Sequence, residues 1–137
     1  MGRYRASKRA SKKARRKNKT TRKQVKKNIV VGLIHADWCG HCKVLKPEWE
    51  KMKIMIKQNT GRTLKNVSFH IEEIKDSETI DIKELIENFN QKQFPNGKNS
   101  ITYDGFPTIF KIYRSKIDYY QGNKDADELY KWFTKGI

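Results

Sequence analysis

The run Ile29-Val30-Val31-Gly32-Leu33-Ile34 constrains the fold more than any other stretch of the chain. It is short, continuous and apolar, the pattern of a strand buried on both faces in a parallel sheet, so packed layers are required above and below it. The run passes through His35 directly into Ala36-Asp37-Trp38-Cys39-Gly40-His41-Cys42. Beyond that turn Leu45, Trp49, Met52 and Ile56 recur at spacings of 4, 3 and 4, which lays one apolar stripe along a helix. Pro47 lies inside this helix and is expected to kink it. Asn59-Thr60-Gly61 supplies a stop.

Further along, Val67, Phe69 and Ile71 alternate with Ser68, His70 and Glu72 and predict a second strand with one face more polar than the other. Asp81 and Glu84 form a capping-box pair ahead of a helical stripe of Ile82, Leu85, Ile86 and Phe89. The composition then turns polar, with Pro95-Asn96-Gly97 marking a turn, so residues 90–100 are expected to be a loop insertion. Residues 108–113 and 117–120 read as an antiparallel hairpin joined by Arg114-Ser115-Lys116 and closed by Gln121-Gly122-Asn123. Asp125 and Glu128 cap a last helix whose apolar face is Ala126, Leu129, Trp132 and Phe133. The expected fold is α/β, in the order βαβ, α, ββ, α.

A chain of 137 residues has room for one such core. Its charge is unevenly placed. Of 31 lysines and arginines, 14 fall in residues 1–28, which contain no acid, leaving 17 bases and 15 acids for the other 109 residues. Met1, Tyr4 and Val25 are the only residues of that arm able to anchor a core, too few to offset the entropy of ordering it. The domain organisation expected is a basic tail over 1–28, disordered when free, and one folded domain over 29–137.

The tail suits an anionic partner. With no aromatic beyond Tyr4 it fits phosphate-backbone pairing, without base stacking or groove readout. Engaging about 8 phosphates of a duplex would give a log-log salt slope near −7. Its densest block, Lys12, Lys13, Arg15, Arg16 and Lys17, also fits a nuclear import receptor or an anionic membrane surface. Phosphorylation at Ser7 or Ser11 would weaken any such contact, and a solvated tail without partner is the plain alternative. The basic start is not followed by a secretory apolar stretch, a transit-peptide apolar face is lacking, and Ala6 breaks the myristoylation pattern. No run of about 18 apolar residues is present to span a membrane. An intracellular protein, nuclear or virion-associated, is the expectation.

Both cysteines lie in Cys39-Gly40-His41-Cys42, between the buried strand and the helix. Two intervening residues let the sulfurs approach bonding distance across the first helical turn, with Gly40 easing the backbone. At a helix N-terminus, free amides and the positive end of the dipole favour thiolate over thiol at Cys39, and a protonated His41 adds to that preference. A thiolate there attacks disulfides and Cys42 is placed to resolve the product. Zinc would need two further ligands from His35, His41 or His70, none at finger spacing. Covalent haem would need a histidine where Lys43 stands. An inert structural pair is the remaining alternative.

Trp38-Cys39-Gly40-His41-Cys42-Lys43, followed by Leu45 and Pro47-Glu48-Trp49, resembles the active site of the protein disulfide isomerase branch of the thioredoxin family. Gly105-Phe106-Pro107-Thr108 resembles that family's cis-proline loop, and Tyr120, Gly122, Ala126, Asp127, Leu129 and Trp132 resemble its closing strand and helix. The resemblance covers residues 29–137. It implies a minimal thioredoxin-like βαβ-α-ββα core with a central mixed sheet. Cys39 would be the solvent-facing nucleophile, Cys42 the buried resolving thiol, and Trp38 a ring packed over the site. Pro107, if cis, would bring backbone against the disulfide, and the main chain of Phe106 would pair with an extended substrate. The implied activity is thiol-disulfide oxidoreduction on cysteine-containing proteins, by a monomer, with no metal and no cofactor beyond the Cys39–Cys42 disulfide. The histidine-containing motif leans toward an oxidising couple, roughly −180 mV against about −270 mV for a thioredoxin-like one.

Three departures from the family pattern bear on mechanism. The strand and helix that usually open the fold have no counterpart ahead of Ile29. Leu33 stands where the family carries a buried carboxylate six residues before the first cysteine. Lys124 is the nearest match to an arginine in the loop before the last helix. The interval from Cys39 to Pro107 is also longer than usual, in keeping with the insertion at 90–100, which is expected near the substrate groove because it feeds the proline loop. By composition alone the whole resembles small redox proteins of large DNA viruses, and a nucleic-acid-binding protein using the domain as a scaffold is the alternative function.

Overall fold

The computed structural model describes residues 26–137, so the expectations for residues 1–25, the block Lys12 to Lys17 included, lie outside the described residues. The elements are β1 (Lys27–Ala36), α1 (Gly40–Asn59), β2 (Val67–Asp76), α2 (Ile82–Gln93), β3 (Thr108–Tyr113), β4 (Lys116–Tyr119) and α3 (Ala126–Thr134). The sheet order is β2-β1-β3-β4, with β1 parallel to β2 and antiparallel to β3. This is the mixed sheet and element order expected of a thioredoxin-like core.

β1 is buried on both faces, as its unbroken apolar run requires. On one side Ile29, Val31 and Leu33 meet Leu45, Trp49, Met52 and Ile56 of α1 and Leu129 and Phe133 of α3. On the other, Val30 and Ile34 meet Ile82 and Ile86 of α2 with Phe110 and Ile112 of β3. Each fully buried side chain of this size contributes about 1.5–3 kcal/mol, which is why the apolar run dominates the fold. Gly32 opposes Phe110 across the ladder, and a Cβ on Gly32 would lie 2.1 Å from the Phe110 ring. The missing side chain is the seat for that ring.

The strand begins two residues earlier than the apolar run because the ladder extends past the buried stretch: Lys27 pairs with Val67. Apolar patterning reports burial and is blind to backbone pairing at an exposed end. The hairpin link is also tighter than expected. Lys116 already pairs with Tyr113, and Arg114 and Ser115 turn the chain with φ of 53° and 63°, the left-handed values of a two-residue primed turn.

Residues 90–100 are not simply an inserted loop. α2 continues to Gln93, and Phe94, at its C-cap, is buried against Ile101 and Phe110. The Asn90 side chain then clamps the far end, its Oδ1 accepting from Ile101 N at 2.7 Å and its Nδ2 donating to Ile101 O at 3.2 Å. Thr102 N donates to the Tyr119 hydroxyl at 3.0 Å. Two buried apolar residues and one asparagine therefore hold a polar segment as part of the second core.

Candidate active site

The site forms where β1 ends and α1 begins. Cys39 is the N-cap of α1, in extended backbone, and its N donates to Ala36 O at 3.2 Å. Cys39 Sγ accepts from Cys42 N at 3.2 Å, taking up one of the amides that a helix start leaves unpaired. The same sulfur donates to Phe106 O at 3.5 Å. The Phe106–Pro107 peptide is cis, so the loop before β3 brings its backbone against the dithiol turn.

Both cysteines are free thiols, and they are equally enclosed, at 6% exposure for Cys39 and 7% for Cys42. The expected solvent-facing Cys39 is thus corrected: its sulfur is lodged between the α1 amide and the Phe106 carbonyl, with Phe106 packed against both cysteines. Burial, with the hydrogen bond to Cys39, pushes the Cys42 thiol up to about 11.

Trp38 is 69% exposed and is not a core anchor; its ring meets Phe106 edge-on at 5.4 Å and its Nε1 donates to Asp76 Oδ2 at 3.3 Å. Tyr103 stacks on the other part of this wall, 5.4 Å from Phe106. Tyr103 was not legible as a site residue; the signal available was an aromatic three positions ahead of Phe106. Gly40 needs correction too, since a Cβ there would meet nothing within 4 Å and its φ is not left-handed. Neither space nor backbone demands a glycine at that position. His41 is exposed. Lys124 lies apart from the thiols, in a groove of about 290 Å³ that it shares with Pro107, Tyr103 and Tyr119.

Behind Cys42 a larger cavity opens, about 450 Å³, with Leu33, His35, Trp49 and Glu73 among its walls. Leu33 occupies the place of the family's carboxylate, and its ladder partner on β2 is Glu73. Burial lowers the half-buried His35 imidazole below its usual value, with Glu73 pulling the other way. Burial pushes the Glu73 carboxyl up, but hydrogen bonds from Lys53 at 2.7 Å and Trp49 at 3.3 Å outweigh it and hold the group below its ordinary range. Sequence reasoning had weighed His35 only as a metal ligand and had not placed Glu73, whose relation to Leu33 depends on strand register. Among the described residues no three His, Cys, Asp or Glu side chains gather to hold a metal ion. None of the described helices is long and apolar enough to cross a membrane.

A mixed sheet carrying a dithiol at a helix N-terminus, faced by a cis-proline loop, defines a class of thiol-bearing α/β proteins. The match to the thioredoxin family over residues 12–135 makes the assignment definite: the chain belongs to that family. Among its relatives is protein disulfide-isomerase of Ricinus communis, 29% identical over 113 residues, covering 79% of this chain and 18% of that protein. Protein disulfide-isomerase A6 of Mus musculus is 28% identical over 104 residues, covering 75% and 23%. The thioredoxin domain-containing protein R362 of Acanthamoeba polyphaga mimivirus is 27% identical over 103 residues, covering 74% and 25%. The chain therefore spans a quarter or less of the length of these relatives. In fold it is similar to the first two thioredoxin domains of Saccharomyces cerevisiae Eps1p, at 19% identity and a TM-score of 0.50, covering 83% of this chain and 37% of that one.

Proposed function

We propose that the protein is a thiol-disulfide oxidoreductase acting on cysteine-containing proteins through Cys39 and Cys42. The observation that carries the reading is the seat of Cys39 Sγ, 3.2 Å from an α1 amide and 3.5 Å from the carbonyl of the cis-proline loop. A negative sulfur is stabilised by the amide, and the adjoining loop offers main-chain groups to an extended peptide. Cys39 attacks a substrate disulfide, and Cys42 then displaces the substrate from the mixed disulfide, leaving a Cys39–Cys42 bond. Isomerase action on scrambled proteins is the finer form of this proposal, supported by the likeness to protein disulfide-isomerases. Insulin reduction and refolding of a scrambled disulfide protein test it. Wild-type rates no higher than those of Cys39→Ser would refute it.

The 14 bases of residues 1–28 support a second element, a tether to an anionic partner such as nucleic acid, an import receptor or a virion interior. Its extreme form makes the folded domain a scaffold for nucleic-acid binding. Removing residues 1–25, which stops short of β1, should abolish heparin retention and DNA mobility shift while leaving insulin reduction intact. Unchanged retention would end the tether reading, and a wild type that shifts DNA but never reduces insulin would favour the scaffold.

A further inference from the structure

Disulfide exchange makes a demand on Cys42 that the dithiol turn alone does not meet. The resolving sulfur must be a thiolate when it attacks. Burial is the largest cause that pushes this thiol up, to about 11 in the dithiol, and in the mixed disulfide it still disfavours the Cys42 thiolate. A base beside it would relieve that shortage, and the cavity behind Cys42 is where one can stand.

Its walls carry several ionisable groups. Lys43, Lys46 and Glu50 come from α1, Glu73 and Lys75 from β2, and Asp37 follows β1. The lysine ammonium groups offer donors and no acceptor. Asp37 is paired with Lys75 at 3.3 Å, and Lys53 draws both Glu50, at 3.0 Å, and Glu73, at 2.7 Å. These carboxylate oxygens are already engaged by cations. His35 differs: it shares the α1-facing side of β1 with Leu33, is half-buried, and stays neutral because burial disfavours the imidazolium. A neutral imidazole keeps a lone pair for a proton. Glu73 pulls the other way and would stabilise the cation once formed. At about 450 Å³ the cavity has room for bridging water, which needs about 30 Å³ per molecule.

We propose that His35 is the proton acceptor for Cys42 in the resolving step, working through water in this cavity with Glu73 as the counter-charge. The proposal rests on the exchange reading above. The Cys42 Sγ proton passes to the imidazole, and the Cys42 thiolate attacks Cys39 Sγ of the mixed disulfide. The Cys39–Cys42 bond forms, the bond from Cys39 to the substrate sulfur breaks, and the substrate leaves as a thiolate. Two electrons move from the protein dithiol to the substrate disulfide. His35 lies two residues beyond Leu33 on the same face of β1.

The test uses the reduced full-length chain and one equivalent of 5,5′-dithiobis(2-nitrobenzoate). Attack by Cys39 releases the first thionitrobenzoate, and resolution by Cys42 releases the second, so the two steps are read separately. In the wild type the second release should bend at a pH below 6.5, where His35 loses its proton. His35→Gln should leave the first release unchanged, slow the second about a hundredfold at pH 7, and remove the bend. Added imidazole should speed the second release of His35→Ala, which a merely structural histidine would not produce. A second release in His35→Gln with wild-type rate and pH profile overturns the proposal. Should that variant fail to fold, seen as loss of the wild-type circular dichroism spectrum, Glu73→Gln decides: the bend should move to lower pH, and an unmoved bend overturns the proposal. A wild type that gives no second release at all refutes the exchange reading itself.

Discussion

Alkylation separates the two thiols and tests the environment assigned to Cys42. The perturbation is a brief pulse of iodoacetamide on the reduced protein, folded or urea-unfolded, at pH values from 6 to 11, with modification at each cysteine read by mass spectrometry at low conversion. Only the thiolate reacts. Cys42 is pushed up to about 11 from an ordinary 9.0, so well below both values its thiolate fraction falls about a hundredfold on folding. At pH 8 the folded protein should therefore label at Cys42 at least about 100 times more slowly than the unfolded chain. Enclosure alone, at 7% exposure, would also slow labelling, but it would lower the plateau without moving it. The folded profile should instead still be rising at pH 11, where the thiolate is only about half formed. A folded profile that is half-risen near pH 9 and has levelled soon after pH 10 refutes the argument, however slow the labelling. The same shift has a stability consequence of fixed sign. The folded state keeps the Cys42 proton between about 9 and 11 while the unfolded chain has released it, so stability present below pH 9 is lost as pH rises through 11.

Other outcomes follow from single contacts. Gly32→Ala should cost about 1–3 kcal/mol in urea unfolding because the new methyl enters the Phe110 ring, and Phe110→Leu in the same chain should recover part of that loss. Asn90→Ala should lose about 1–3 kcal/mol by leaving the main chain of Ile101 unpaired, and limited proteolysis should then cut within residues 95–100. Glu48 Oε1 accepts from Ala126 N at 3.2 Å, which holds its carboxyl below the usual range. Glu48→Ala should accelerate hydrogen exchange at the first turn of α3 while leaving the amides of β1 unchanged.

What the sequence disclosed divides along a physical line. Features written in consecutive residues were legible: the unbroken apolar run of β1, the stripe of α1, and the aspartates at positions 81 and 125 that do cap their helices, accepting from Lys83 N and Glu128 N. Features made by residues distant in the chain were not. Asn90 reads as the start of a polar loop until Ile101 stands opposite it, and Phe94 and Ile101 look like isolated apolar residues until both face Phe110. The cysteine motif announced itself, but the enclosure of Cys39 depends on the carbonyl of Phe106, 67 residues away. Leu33 was readable as a missing carboxylate; that Glu73 lies beside it required the register of β1 on β2.

That register bears on the direction of exchange. A carboxylate in the apolar place of Leu33, itself 5% exposed, would stand alone in a desolvated floor, where burial raises its affinity for protons. Glu73 stands across the ladder at the open rim, bound by Lys53 and Trp49, and stays ionised. The group left to trade protons is the imidazole of His35, and a base for the forward step is the acid for its reverse. When a substrate thiolate attacks Cys39 of the disulfide form, Cys42 departs, and a sulfur whose thiol sits near 11 is a poor leaving group unless it is protonated. Imidazolium at His35 supplies that proton. Reduction of substrates should therefore be fastest above the pH at which His35 loses its proton, and oxidation should follow a bell between that pH and the substrate thiol's own value. Measuring both directions with one peptide, as dithiol and as disulfide, tests this coupling; superimposable profiles in the two directions would show that no shared group donates and accepts the Cys42 proton.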